Sequence, residues 1–231
     1  MKLSIIIPTL NERHCIGRLI DRLLTADQSK MEIIVVDGGS TDGTVEFLQT
    51  KGIRVINSEP SRSKQMNLGA KVAQNEILYF IHADTLPPTS FLTDGINVIT
   101  PEKPAACYKS KFESKILMLR LNAFFTNFYW LIGRGGDQSL FILKSTFNEL
   151  GRYDETMVIM EEYPLIKTLL KNKQLTVLPK KILISTRKYE NRGWLKVSRA
   201  NTVAYRMFKK GASSEAMKKR YNEILGEVKP S

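Results

Sequence analysis

The first eighty residues alternate apolar runs with amphipathic stretches. Residues 3–7 form an unbroken apolar run, as strands buried on both faces do. Ile16, Leu19, Ile20, Leu23 and Leu24 then recur at helical spacing. Residues 31–36 give a second strand, rich in β-branched side chains, and Ser40 or Thr41 can cap a helix carrying Val45, Phe47 and Leu48. A short strand at 53–56, a helix at 63–73 and a strand at 77–81 complete the series. This alternation predicts an α/β fold with a Rossmann-like, mainly parallel central sheet, flanked by helices and joined by right-handed crossovers.

After Pro88 the pattern loosens. Residues 91–99 read as a helix, 100–104 as a break, 139–143 as a strand and 165–170 as part of a helix. Short strands are expected at 174–178 and 182–185. From Leu195 onward the spacing predicts two amphipathic helices separated near Gly211. The segment 117–132 is apolar and aromatic, but Arg120, Asn122 and Asn127 interrupt it. It suits a core helix pair, or a surface that meets lipid or a hydrophobic acceptor.

With 231 residues, the chain can bury a sizeable core within one large domain. It holds no apolar stretch of about eighteen residues, so no membrane span is expected. The N-terminal apolar run is followed by no cleavage site and reads as a strand rather than a leader. Cys15 and Cys107 lie far apart, which suits reduced thiols in a cytoplasmic protein better than a disulfide framework. The net charge is +12, and residues 161–231 carry 17 Lys and Arg against 6 Glu. Such a region either meets phosphates or an anionic membrane surface, weakly and peripherally, or simply keeps the protein soluble. The basic tail has aromatic residues but matches no nucleic-acid-binding module, so no nucleic-acid partner is expected.

Several strands end in polar groups, and ligands of open α/β sheets sit at those ends. The apolar run 77–81 stops at His82-Ala83-Asp84 and then turns on Pro87 and Pro88. A carboxylate there can hold a divalent cation against a diphosphate, since magnesium and manganese take few protein carboxylates and complete their shell with phosphate and water. Asp84 is therefore the metal candidate, for Mn2+ or Mg2+, and His82 a second ligand or a structural residue. Pro8 closes the first strand, and Thr9 and Glu12 follow where a loop can touch a base or ribose. Asp37 ends the second strand, before glycines that allow close backbone approach. These glycines follow the second strand, not the first, which argues against a dinucleotide fingerprint. Arg62 and Lys64 place cations at a helix start, in reach of phosphate. Asp137 and Gln138 follow a glycine-rich turn and can bind a sugar. Glu161 and Glu162 open a helix; paired acids there either stabilise its N-terminus or supply a general base.

Taken together these segments resemble glycosyltransferase family 2, with the GT-A fold. The matching stretches are Ile-Ile-Pro-Thr-Leu-Asn-Glu (6–12), Val-Val-Asp-Gly-Gly-Ser-Thr-Asp-Gly-Thr (35–44) and His-Ala-Asp-Thr (82–85), followed by Gly-Asp-Gln (136–138) and the acid pair 161–162. His82 stands where the family carries the first Asp of its metal motif, and Glu162 where it carries a catalytic Asp. A bacterial subgroup associated with radical-SAM and arsenosugar biosynthesis is similar also through Arg-x-x-Gln-Met-Asn-x-Gly-Ala (62–70) and Ser-x-Arg-Lys-Tyr-Glu-x-x-Gly-Trp (185–194).

The resemblance implies a metal-dependent inverting transferase using a nucleotide-diphosphate sugar, with UDP as the expected nucleotide. It implies nucleotide contacts from Pro8, Thr9, Glu12, Asp37, Arg62, Gln65, Asn67 and Ala83, metal contacts from Asp84 and His82, and sugar contacts from Asp137 and Gln138. Glu162 becomes the expected base, with Glu161 in support. Residues 1–190 become the catalytic domain, its nucleotide-sugar half about 1–100 and its acceptor half about 101–190, with 191–231 a basic helical extension. A nucleotidyltransferase would share the sheet and metal, but needs a Gly-rich basic loop where Pro8–Glu12 stands. A catalytically inactive sugar-nucleotide binder would keep Asp37 and Asp84 and lose the base.

Overall fold

The computed structural model describes residues 1–112 and 139–227. The aromatic segment 117–132 lies outside them. Four parallel strands open the fold: β1 (Leu3–Thr9), β2 (Met31–Asp37), β3 (Arg54–Asn57) and β4 (Ile77–Phe80), in spatial order β3-β2-β1-β4. Helices α1 (Arg13–Leu24), α2 (Thr44–Thr50) and α3 (Arg62–Val72) connect them. The second half adds β5 (Thr85–Leu86), α4 (Phe91–Val98), β6 (Ala105–Phe112), β7 (Leu140–Leu143), α5 (Lys144–Glu149), α6 (Tyr163–Lys171) and β8 (Leu175–Ile184). Helices α7 (Arg187–Arg192), α8 (Trp194–Lys209) and α9 (Ser214–Leu225) follow.

The expected mainly parallel sheet is mixed. β7 pairs antiparallel with β4 and with β6, β6 pairs parallel with β8, and β5 pairs antiparallel with β8, giving the order β3-β2-β1-β4-β7-β6-β8-β5. Both faces of the first strands are covered, which explains their continuous apolarity. Leu3, Ile5, Ile7, Ile33 and Val35 pack with α1 and α4, whereas Ile6, Ile34, Val36, Leu78 and Phe80 pack with α3, α5 and α6. The side-chain period of two thus divides a single apolar run between two cores.

β4 and β5 are four places apart in the strand order but only five residue steps apart in sequence, from Phe80 to Thr85. A flat sheet would separate them by about 19 Å, at about 4.8 Å per strand. Five steps span at most about 17 Å when fully extended. The segment is not extended, for the Thr85 N–H donates to the His82 carbonyl at 3.1 Å. The sheet is therefore curled, and residues 81–84 bridge its mouth.

The strands foreseen at 174–178 and 182–185 are one strand with an irregularity. Tyr108 of β6 faces Leu178, and the next residue, Lys109, faces Lys181, so Pro179 and Lys180 are extra on β8. A proline breaks the ladder there, which is why the pattern reads as two strands. In the C-terminal region, α7 runs across the boundary expected near 190, and only Gly193 separates α7 from α8. Tyr189, Val197, Ala200, Met217 and Tyr221 form a third core, which also takes in Met160. The basic extension thus packs on the loop that carries the acid pair.

Gly69 sets the distance between α3 and β1. A Cβ built there would lie 2.4 Å from Ile6 Cγ2 and 3.3 Å from Val36 Cγ2. Gly69→Ala forces α3 off the sheet; overpacking of this kind costs about 1–3 kcal/mol. Chemical denaturation should record that loss as a lower midpoint with an unchanged slope.

Candidate active site

β4 pairs only with Leu3–Ile6 of β1, yet β1 runs on through Pro8 to Thr9 beside β2. Pro8, which has no N–H, stands where the ladder on the β4 side has ended. Beyond this point lies the crevice between diverging strands, where α/β sheets bind ligands.

The loops after β1 and β2 are laced together around Asp37. Its carboxylate is 2% exposed and accepts from Thr9 Oγ1 at 3.2 Å, Ser40 Oγ at 2.5 Å, and the N–H groups of Gly39 and Ser40, each at 2.8 Å. Four donors fill the lone-pair positions of a carboxylate. Asn11, at φ 56°, donates its N–H to Ser40 Oγ and accepts from Thr41 N–H through Oδ1, both at 2.8 Å. Asp42 accepts from Arg13 N–H at 3.0 Å, and Thr44 Oγ1 from Glu12 N–H at 3.1 Å. Gly38 is closely approached: a Cβ there would lie 3.1 Å from Pro60 Cα and 3.2 Å from Gln65 Nε2.

Glu12 and Asp84 share one electrostatic environment with two arginines. Arg187 Nη2 meets Glu12 Oε2 at 3.0 Å, joining α7 to the loop after β1. Burial raises the Glu12 pKa above its ordinary 4.5; Arg187 opposes this, the Asp84 carboxylate adds to it, and Arg62 opposes it weakly. Asp84 and His82 are half-buried, and Ala83 between them is buried. Within the described residues, no group of three or more His, Cys, Asp or Glu side chains is arranged to hold a metal ion. A divalent cation at Asp84 would need ligands from a substrate, and hard oxygen donors with few protein carboxylates suit magnesium or manganese.

Helix α3 ties this edge to the acid pair. Gln65 Nε2 donates to the carbonyls of Thr9 at 2.8 Å and Val36 at 2.7 Å. Asn67 Nδ2 donates to the Tyr153 carbonyl at 2.8 Å and to Glu155 at 2.9 Å, and its Oδ1 accepts from Tyr153 N–H at 3.1 Å. Nucleotide contact was expected from both side chains; here they hold backbone of the neighbouring loops, the Thr9 carbonyl also accepting from Gly38 N–H at 2.8 Å. Arg62 Nη1 meets Glu161 Oε1 at 3.3 Å, so the expected phosphate-binding cation is linked to the acid pair. Glu161 and Glu162 are both buried. Burial first, and then the Glu162 and Glu161 carboxylates, hold the Tyr153 phenol well above its usual pKa. Met160, immediately before the pair, has φ 62°, a left-handed conformation that costs energy for a side chain of this kind and that clusters at functional sites. Asp137 and Gln138 lie outside the described residues.

Arg187 was not among the expected site residues. Its signal was the run Ser-x-Arg-Lys-Tyr-Glu at 185–190, whose partner is 175 residues away in sequence.

A GT-A-like fold with carboxylates at a strand-end crevice defines a sugar-nucleotide-dependent class of transferases. The glycosyl transferase family 2 model matches residues 4–138, more than half of the chain, and the chain belongs to that family. Among curated relatives, the poly(ribitol-phosphate) beta-N-acetylglucosaminyltransferase TarS of Staphylococcus aureus is 29% identical over 150 residues, which are 61% of this chain and 23% of TarS. The glycosyltransferase AglE of Haloferax volcanii is 29% identical over 106 residues, 42% of this chain and 35% of AglE. The chain thus spans a quarter to a third of these relatives. Among solved structures, the mannosyltransferase PcManGT of Pyrobaculum calidifontis, in complex with GDP-Man and Mn2+, superposes with a TM-score of 0.69 at 19% identity, covering 98% of this chain and 68% of that one. Glucosyl-3-phosphoglycerate synthase of Mycobacterium tuberculosis, with Mn2+ and UDP, gives 0.64 at 19% identity over 91% and 80%. At these identities the likeness establishes the GT-A-like architecture.

The raised Glu12 pKa has a pH consequence. A carboxyl with a folded pKa above its unfolded value favours the folded state at low pH and loses that contribution as pH rises through the folded pKa. Glu12→Gln removes this dependence. The melting temperature of the variant relative to the unsubstituted protein should therefore climb from pH 4 toward neutrality in a thermal scan.

Proposed function

We propose that the protein is a metal-dependent inverting glycosyltransferase that moves a sugar from a UDP-sugar to an acceptor hydroxyl. The observation that carries this reading is the bridge Arg62–Glu161, which draws a buried acid pair to the strand-end crevice holding Asp84 and Glu12. TarS, whose structures include complexes with UDP and UDP-GlcNAc, and glucosyl-3-phosphoglycerate synthase, with UDP and Mn2+, support a uridine nucleotide and manganese; magnesium would serve the same oxygen ligands. The motifs at 62–70 and 185–194 support membership of the subgroup associated with radical-SAM and arsenosugar biosynthesis.

In this reading Pro8, Thr9, Glu12 and Asp37 line the nucleoside side, with the Ala83 backbone between the metal-binding candidates. Asp37 already has four donors, so a ribose hydroxyl or base N–H takes the place of Ser40 Oγ. Asp84, with His82 beside it, would hold the divalent cation, which when bound neutralises charge on the leaving diphosphate. Arg62 faces the phosphates from its position against Glu161. Glu162 takes the proton from the acceptor hydroxyl as that oxygen attacks the anomeric carbon and the carbon–diphosphate bond breaks on the opposite face. Asp137 and Gln138 bind donor or acceptor sugar. The basic residues of 161–231 favour weak peripheral association with anionic membrane at the cytoplasmic face; no helix among the described residues is long and apolar enough to cross a membrane.

UDP with manganese at about 100 Kd should stabilise the protein by about 2.7 kcal/mol. Asp84→Ala should lose the metal-dependent part of that shift, and an identical response from both proteins would overturn the metal assignment.

Glu162→Gln keeps the shape and removes the proton acceptor. Turnover should fall by about 10²–10⁴-fold while UDP-sugar affinity holds. Donor hydrolysis can stand in for transfer until an acceptor is found. Full activity in Glu162→Gln, with loss in Glu161→Gln, would exchange the two roles.

A further inference from the structure

A second concave site lies on the other side of residues 85–88, and it shares no lining residue with the crevice described above. It encloses about 470 Å³ between α1, the β5 turn and the β6–β8 pair. Arg22, Lys111, Lys180 and Lys181 supply four cations to its wall, and no acid among the described residues lines it. Leu86, Leu183 and the prolines 87, 88 and 179 form the rest. The walls therefore combine rigid apolar surface with concentrated positive charge.

Three features make this more than a solvated lysine face. The two extra residues on β8, Pro179 and Lys180, sit at the irregularity against β6, and bulges of this kind re-aim side chains beside functional sites. The acid paired with the lining residue Lys180 is already committed: Asp94 accepts from Lys180 Nζ at 2.7 Å, from Ser90 Oγ at 2.8 Å and from the Tyr108 hydroxyl at 2.9 Å. Lys111 and Lys181 have no ion-pair partner within 4 Å among the described residues. Arg22 is held in place by one bond, from Nη1 to the Pro87 carbonyl at 2.8 Å, which leaves the rest of its donor fork available. Among the described residues no carboxylate pairs with Arg22, Lys111 or Lys181, and three such cations around one concavity favour the entry of an anion.

We propose that this cleft binds a phosphate ester, with the phosphoryl group between Arg22, Lys111 and Lys181 and an organic body against Leu86, Leu183 and the prolines. Arg and Lys are the usual partners of phosphate, and the volume falls within the range of small-molecule sites. The phosphate can belong to a soluble ester or to a lipid headgroup, and the chemistry of recognition is the same.

Lysine acetylation of the full chain, read by peptide mass spectrometry, separates the two sources. Phenyl phosphate is one probe; phosphatidylcholine vesicles with and without phosphatidic acid are the other. Lys30 and Lys71, exposed and not among the residues that line the cleft, report non-specific effects. Protection of Lys111 and Lys181 by phenyl phosphate, with Lys30 and Lys71 unchanged, supports a soluble ester. Protection by phosphatidic acid vesicles alone supports a headgroup. Lys181→Gln should weaken protection at Lys111 by about threefold, the worth of one exposed charge contact. No protection by either probe, or equal protection at all four lysines, overturns the proposal. UDP-induced stabilisation of Lys181→Gln should match that of the unsubstituted protein, so failure here is distinct from failure of the transferase reading.

Discussion

The short bridge between β4 and β5 constrains the rest of the molecule. Five residue steps join strands that stand four places apart, so the sheet must curl until its two ends approach. Curling puts His82, Ala83 and Asp84 across the mouth instead of in an ordinary strand-to-helix loop. It also carries β8, and with it α7, round to the loop after β1, where Arg187 meets Glu12. A flat doubly wound sheet with the same strands would leave Asp84 facing solvent, and the C-terminal arginines far from the first strand.

Helix α3 converts this curl into a fixed geometry. Along its length, Arg62 grips Glu161, Gln65 caps the ends of β1 and β2, Asn67 clasps the peptide of Tyr153, and Gly69 lets the helix lie directly on Ile6. Each interaction satisfies a buried polar group or removes a steric obstacle, and together they join the first two strands to the acid pair. The acid loop is held from its other side by α9, where Ser214 Oγ accepts from Val158 N–H at 2.7 Å. The loop carrying Met160 in its left-handed conformation is therefore gripped on both sides, which is how such strain is retained in a native state.

The alternation of strands and helices through residue 98 was legible because both faces of β1 and β2 are buried and α1 has a clean apolar stripe. The carboxylates at strand ends were legible for the same reason, since the apolar runs stop where they begin. The antiparallel strands were harder to read. β6 (Ala105–Phe112) begins apolar but ends with Lys109, Ser110 and Lys111, and β8 contains a proline, so neither carries a strand's full pattern. The two-residue β5 is too short to have a period at all. Gln65 and Asn67 illustrate a different limit. Their residue types suit ligand contact and backbone support equally, and the backbone support becomes visible only with the positions of Thr9, Val36 and Tyr153.

The ion pair between Arg187 and Glu12 also bears on how the molecule is made. It joins residues 175 apart, and the β6–β8 pairing that brings Arg187 into place is itself long-range. Contacts of high sequence separation form late, because a long loop must close before they contribute. During synthesis the first four strands can associate as soon as they emerge, while the wall formed by α7 must wait for more than a hundred further residues. A nascent chain therefore has the loops after β1 and β2 long before it has the crevice wall that Arg187 closes.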